Sequence, residues 1–395
     1  MQLTRKQEEG LRIAIQRYCA GEQCTVISGY AGSGKSTLVR FIINALDVNE
    51  DKVAYATFTG KAAEVLRKKG NNNAMTLHKL LYDSIPRPGG GFLRIPKPSL
   101  EYSIIVVDEV SMVPKSMIDM LLGHKVYVLA LGDPFQLPVI DKDQAHGLLD
   151  HPHIFLDEIM RQAAESEIIQ MTMKIRNGEP LSLFKGKEVQ IFEKRELNTG
   201  MLTWADQILC AKNTTRIALN NQVRDLLGYR GLPQDGERMI CLRNYWEDLS
   251  EDREGTLVNG TTGIIQNPFE TYRMAPQYVK MSNHKMDEIC GNFITDDNHI
   301  FNSVEMDRRM IEVGEPCLDW RESYALGKLR DKIGDIIPRQ FAFGYAITTH
   351  KAQGSEWNKV LVIEENFPFD KTEHARWLYT ACTRSSEKLV LVRDA

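Results

Sequence analysis

Short, unbroken apolar runs punctuate the first third of the chain: TVISGY from Thr25, VAYATFT from Val53, SIIVVDE from Ser103 and VYVLALGD from Val126. Runs of this kind are what central strands of a parallel sheet show when both faces are covered. Between them the period changes. LTRKQEEGLRIAIQRYC sets Leu3, Leu11, Ile15 and Tyr18 at helical spacing, and STLVRFIINAL and KAAEVLRKK are read as further helices. Strand and helix alternate to near residue 145, which predicts a doubly wound α/β domain.

The pattern then breaks and resumes. IPRPGGGFLRIPKP, from Ile85, is too rich in proline and glycine for a long element, and RPGGGFLRI predicts a small hairpin. A second α/β segment opens near residue 146, with QILCAK as strand and TTRIALNNQVRDLLG as helix. After Gly231 come short strand candidates between turn signals, RMICLRN, TTGIIQN, QYVKMSN and NFITDD, the texture of a small β-domain. From Ile337 the alternation returns in FAFGYAIT, KVLVIEE, ARWLYTACTR and KLVLVRD. The expected organisation is one α/β domain over 1–145 with a short insert at 83–98, and a second over 146–230 and 337–395. A β-rich module at 231–336 interrupts the second.

Composition narrows the class. At 395 residues, two to three domains are expected, and 43% hydrophobic with 26% charged residues is ordinary for globular chains. MQLTRKQEEGL lacks a secretory pattern, and no apolar run reaches the eighteen or so residues of a membrane span. The seven cysteines form no CxxC pair, so a reduced, cytoplasmic setting without structural zinc is expected. A net charge of −4 argues against a broad basic surface for duplex DNA, yet leaves room for a narrow nucleic-acid groove.

Three motifs carry phosphate chemistry. GYAGSGKST, Gly29 to Thr37, fits GxxxxGKS/T between a predicted strand and a predicted helix. Backbone amides around Gly29, Ala31, Gly32, Ser33 and Gly34 can turn toward phosphates, and the helix adds its positive end. Lys35 would reach the β- and γ-phosphates of ATP, Ser36 would bind Mg²⁺, and Thr37 completes the motif. The Lys35 amine is expected to face solvent before nucleotide binds. IIVVDEVSM then offers Asp108 for Mg²⁺ through water and Glu109 to polarise an attacking water. An acidic pair after a strand is common alone; behind a phosphate loop in the same sheet, the catalytic reading is preferred. LGDPFQLP offers Gln136, which can bond both a γ-phosphate and a water.

In this order the three motifs resemble the superfamily-one helicases. Gln7 in LTRKQ looks like that family's adenine-reading glutamine. ATFTGKAA and MTLHKLL resemble its DNA-contacting segments, which the resemblance assigns to Thr59, Lys61, Thr76 and His78. EIMRQ puts Arg161, and YTACTRS puts Arg384, where the family has arginines reaching the γ-phosphate. ITTHKAQGSEW resembles the stretch that joins nucleotide to DNA: Gly354 and Glu356 would face nucleotide, Glu356 accepting from the ribose, and Thr348 and His350 would touch the DNA backbone. Gln353 could serve either side. GKAA, GDPFQLP and THKAQGSEW look closest to the RecD and Dda group, and TLVNGTTGII resembles its SH3-like module. LPVI departs from the group where a second proline is usual.

The resemblance implies two RecA-like motor domains and an enzyme that uses ATP and Mg²⁺. It implies 5′→3′ movement on single-stranded DNA, and strand separation at a fork during replication, recombination or repair. A monomeric motor is expected, with Phe92 either at the position of the family's fork pin or folded back into a small satellite core under its loop. Two rivals stand beside this: a small-molecule kinase, which would share Lys35 and Asp108, and a DNA-stimulated translocase that leaves duplex intact. No nuclease signature is seen.

Overall fold

TVISGY becomes the strand Cys24–Gly29 in the computed structural model, which is described over residues 3–86, 92–139, 142–160, 164–251, 256–366 and 370–394. It pairs in parallel with Tyr127–Gly132 on one side and Ile154–Leu156 on the other. The complete parallel sheet runs Ala74–Thr76, Val53–Thr57, Ile104–Val107, Tyr127–Gly132, Cys24–Gly29, Ile154–Leu156. Every residue of Ile104–Val107 and Tyr127–Gly132 is buried, which accounts for their unbroken apolar sequence. Alternate side chains feed two separate cores. Val26, Ile105, Val107 and Val128 pack with Leu77 and Leu80, while Ile27, Val106 and Leu129 pack with Leu38 and Ile42.

That sheet belongs to the first of two units, made of Met1–Tyr82, Pro96–Leu197 and Ala352–Ala395. The same unit holds a second set of strands. Trp357–Ile363 and Val189–Glu193 flank Ser385–Arg393 in parallel, with Phe184–Lys185 antiparallel at the edge. The helix Lys371–Cys382 is capped by Asp370, whose side chain accepts from Glu373 N.

The second unit comprises Asp83–Ile95 and Asn198–Lys351. The predicted strand and helix of its first part appear as Gln207–Cys210, parallel to Ala346–Thr348, and as Asn213–Leu226. Asn220 on that helix exchanges two hydrogen bonds with the Ala346 backbone, at 2.9 and 3.0 Å. The change of texture after Gly231 is a five-stranded antiparallel sheet, ordered Ile300–Asp307, Lys285–Thr295, Thr262–Met274, Arg238–Cys241, Phe341–Phe343. Met239, Ile265, Phe293 and Phe341 form its core. QYVKMSN, read from sequence as a strand, is irregular instead: Val279 drops into a satellite core with Met286, Leu318 and Leu326. Packing beneath a loop overrode local strand preference there. The predicted hairpin forms as Tyr82–Pro86 and Phe92–Pro96; residues 87–91 lie outside the described residues.

Glu288, on an interior strand of the antiparallel sheet, is 1% exposed. Its nearest cation, Arg273 Nε, stands 3.8 Å away, and burial pushes the carboxyl up to about 7. A raised carboxyl pKa favours the folded state fully below the unfolded value of about 4.3, and the gain is lost as pH rises through the folded value. The thermal midpoint is therefore expected to fall between about pH 5 and pH 8, and Glu288→Gln to flatten that fall. Calorimetry across the range checks it; an unchanged slope in the variant would assign the effect elsewhere.

Candidate nucleotide site

The phosphate loop turns into its helix, Lys35–Ala45, through Gly34 in a left-handed conformation, φ 80°. A Cβ there would lie 2.4 Å from Gln7 Nε2 and 3.0 Å from Met160 Sδ, so only glycine fits. Met160 N donates to Gly32 O at 3.0 Å, and Ala31 N donates to the Tyr379 hydroxyl at 2.9 Å. Lys35 is half-buried and does not extend freely into solvent as expected. Its ammonium folds back to donate to Gly29 O at 2.7 Å and Tyr30 O at 3.1 Å, because those carbonyls point inward across the turn. Gln7 is 1% exposed: its Oε1 accepts from Thr4 N in a capping box, and its Nε2 points at the carbonyls of Ser33 and Gly34. The glutamine thus sits on the loop and is tied to it.

One cleft of about 170 Å³ collects the chemistry. Ser36, Asp108, Glu109, Gly354, Glu356 and Arg384 all line it, although the chain supplies them from three distant stretches. Asp108 and Glu109 follow the strand Ile104–Val107, and Glu109 takes φ 51°, a strained backbone for a residue with a side chain. Asp108 Oδ1 accepts from Glu109 N at 2.9 Å. Burial raises the carboxyl pKa of both, that of Glu109 against the pull of the Arg384 charge. Arg384 is 5% exposed and is fixed by Thr380 O and Ser355 O before its guanidinium meets Glu109 Oε1 at 3.4 Å. Glu109 Oε2 is buried with no hydrogen-bond partner among the described residues. A buried acceptor left open on a cleft wall suits a water or a ligand proton. Gly354 adopts φ 75°, and a Cβ there would come within 2.8 Å of Thr59 Oγ1 and 3.2 Å of Glu109 Oε2. A second ion pair, Lys69 to Glu356 at 2.8 Å, crosses the cleft.

Other expected residues are placed as follows. Ser33 is buried at the heart of the loop, and Thr37 lies in the first turn of its helix. Gln136 is half-buried in the turn after Tyr127–Gly132. Arg161 lies outside the described residues, as does the side chain of Phe92, whose backbone begins the hairpin's second strand. Thr59 and Thr76 use their hydroxyls to cap helices, accepting from Ala62 N and Lys79 N at 3.2 Å each. Lys61 pairs with Glu64 at 3.7 Å, and the His78 ring lies against Tyr82 and Phe58. In the second unit Thr348 is 8% exposed, and burial lowers the pKa of His350, which keeps it neutral at neutral pH. Sequence reasoning missed Lys69, Thr57 and Ser355 on the cleft wall, and Asp133 and Tyr379 beside the loop. Asp133 and Tyr379 stood inside quoted motifs, and Lys69 closed the helical run KAAEVLRKK; nothing local marked their partners.

Comparison with known proteins places the chain beside helicases. An AAA domain matches residues 2–196, and a UvrD-like helicase C-terminal domain matches residues 343–392, the stretch that brings Gly354, Glu356 and Arg384. The ATP-dependent RecD2 DNA helicase of Deinococcus radiodurans is 27% identical over 382 residues, covering 93% of this chain and 47% of that protein. In sequence the chain is similar to ATP-dependent DNA helicases of this kind. The ATP-dependent DNA helicase PIF1 of Candida albicans is 24% identical, over 78% of this chain and 39% of its own length. The chain therefore spans less than half the length of these two relatives. Among solved structures, Pif1 helicase from Bacteroides in complex with ADP-AlF3 and single-stranded DNA shares the fold. Its TM-score is 0.53 at 18% identity, over 100% of this chain and 93% of that one. The parallel-sheet core expected from the sequence is thus the core of this helicase fold, which has two RecA-like domains.

Proposed function

We propose that the chain is an ATP-dependent DNA helicase that moves 5′→3′ along single-stranded DNA and separates duplex ahead of it. One observation carries the reading: Arg384 reaches Glu109, 275 positions away, inside the cleft that Ser36 and Asp108 also line. A small-molecule kinase would share Lys35 and Asp108 but would not need a second α/β domain with Arg161 and Arg384, nor the THKAQGSEW stretch.

The chemistry follows from the residues. Lys35 and the loop amides other than that of Ala31, which is bonded to Tyr379, hold the phosphates of ATP, and Glu109, with one oxygen unpartnered, orients the attacking water. Arg384 stabilises charge on the transferring phosphoryl group. Ser36 and Asp108 are oxygen donors on one cleft, and burial has raised the Asp108 pKa, a penalty that a divalent cation relieves. Bound there, Mg²⁺ would neutralise charge on the phosphate oxygens. Gln7 and Glu356 serve base and ribose, Gln136 senses the γ-phosphate, and Arg161 is a second arginine for it. Once the γ-phosphate leaves, Lys35 and Arg384 lose their common partner and the grip on nucleotide weakens. DNA is held through Thr59, Lys61, Thr76, His78, Thr348 and His350, mostly at its backbone, so sequence preference is slight. The β-rich module at 231–336 is read as SH3-like, and the motor as monomeric. Among the described residues no helix is long and apolar enough to cross a membrane.

The test is ATPase activity with and without single-stranded DNA, alongside strand separation on a 5′-tailed duplex. Stimulated ATPase with separation supports the reading. Stimulated ATPase on duplex that stays intact makes the chain a translocase, and ATPase indifferent to DNA removes both. Phe92 is proposed as the fork pin, where a stacked base is worth about 1–3 kcal/mol. Phe92→Ala is expected to leave DNA-stimulated ATPase intact while unwinding drops several-fold. Parallel loss of both activities with a lower melting temperature would make Phe92 a packing residue instead.

A further inference from the structure

The hydroxyl of Tyr379 joins two motifs that the catalytic reading leaves unconnected. It accepts from Ala31 N–H at 2.9 Å and donates to Asp133 Oδ2 at 2.6 Å. Both side chains are buried, Tyr379 at 1% and Asp133 at 3% exposure. The second Asp133 oxygen accepts from Phe135 N at 2.9 Å, and the Phe135 ring lies edge-on to the tyrosine at 5.3 Å. Neighbouring residues fasten the same turn: Leu137 N donates to Thr380 Oγ1, and Gln353 Nε2 to Leu137 O.

The direction of this chain of bonds is fixed. Burial beside the Asp133 charge drives the phenol pKa upward, so the hydroxyl keeps its proton and gives it to the carboxylate. Its lone pair is left for Ala31 N–H, and each bond polarises the next. The peptide plane between Tyr30 and Ala31 is thereby held at both ends. Its N–H is drawn to Tyr379, and its carbonyl, Tyr30 O, receives the Lys35 ammonium at 3.1 Å. The Tyr30 ring is braced separately, with the Arg176 guanidinium 3.7 Å above it and Phe155 edge-on at 5.4 Å. Ala31 N–H is thus committed to the strut, while the carbonyl it steadies aims at the lysine.

We infer that Tyr379 is a positioning residue for ATP hydrolysis: it transmits the fixed charge of Asp133 to the Tyr30–Ala31 peptide and so sets where Lys35 rests. The inference builds on the proposed ATPase activity. It also couples the C-terminal helix Lys371–Cys382 to the phosphate loop, so a shift of that helix would be felt at the lysine.

Tyr379→Phe keeps the ring and its contact with Phe135 and removes only the strut. With wild-type ATPase as reference, kcat is expected to fall at least about tenfold while KM for ATP stays within about twofold. Asp133→Asn removes the charge at the other end and should lower kcat as well. Because both act through one chain, the double variant should lose little more than Tyr379→Phe alone. Hydrogen exchange of the 29–36 backbone, measured without nucleotide, should quicken in Tyr379→Phe. An unchanged kcat, or losses in kcat, KM and melting temperature that simply add in the double variant, would overturn the strut. A wild-type chain without ATPase would instead remove the functional reading, and faster loop exchange would still report whether the strut exists.

Discussion

Lys35→Ala is expected to abolish ATP hydrolysis while the first unit keeps its fold. The ammonium is the cation placed at the mouth of the loop, and removing one preorganised donor to a developing charge lowers turnover by about 10²–10³. Lysine here contacts two phosphates in the expected pose, so the larger value applies. Stability should change little, because the loop is held by other bonds: Met160 N to Gly32 O, Ala31 N to Tyr379, and Gln7 to the carbonyls of Ser33 and Gly34. Truncation does leave Gly29 O and Tyr30 O without the ammonium, while Tyr30 O still accepts from Ser33 N at 3.2 Å. Steady-state ATPase with saturating single-stranded DNA, paired with a thermal melt, checks both halves. DNA-stimulated turnover near the wild-type rate would remove Lys35, and with it the phosphate-loop assignment.

Arg384→Ala should act on kcat far more than on KM. The charge that the guanidinium meets grows toward the transition state, so its loss is felt there and not in ground-state binding. A fall of roughly a thousandfold is expected by comparison with arginine fingers. The structure adds a second consequence. Glu109 is half-buried and has Arg384 as its salt-bridge partner at 3.4 Å, so the alanine variant removes the main charge that opposes desolvation and the carboxyl pKa rises further. The alkaline shift of the residual activity reports that rise, since Glu109 must then lose a proton held more tightly. Arg384→Lys separates the two effects: it keeps a positive charge near Glu109 but lacks the fork that Thr380 O and Ser355 O hold in place. Its pH profile should stay near wild type while kcat remains low. A change confined to KM would make Arg384 a structural arginine.

What the sequence determined about this protein is what depends on neighbours along the chain. The phosphate loop was legible because glycine spacing, strand and helix lie within a dozen residues and because Gly34 must take a left-handed backbone. The apolar runs at Ile104 and Tyr127 were legible because strands covered on both faces must be apolar at every position. The texture change after Gly231 marked the antiparallel sheet, but its strand boundaries were not readable: QYVKMSN has strand-forming residues, and packing of Val279 under a loop decided otherwise. The roles of Arg384 and Glu356 came from resemblance, since no local rule links a residue near the C-terminus to one 275 positions earlier. Only the tertiary structure decided the pairings. It set Arg384 against Glu109, Lys69 against Glu356, and Tyr379 between Asp133 and Ala31. It also turned the Lys35 ammonium back onto the loop, because inward carbonyls of Gly29 and Tyr30 offered it better partners than water. Such contacts depend on how sheets and helices pack, and packing joins residues whose separation along the chain carries no information about their distance in space.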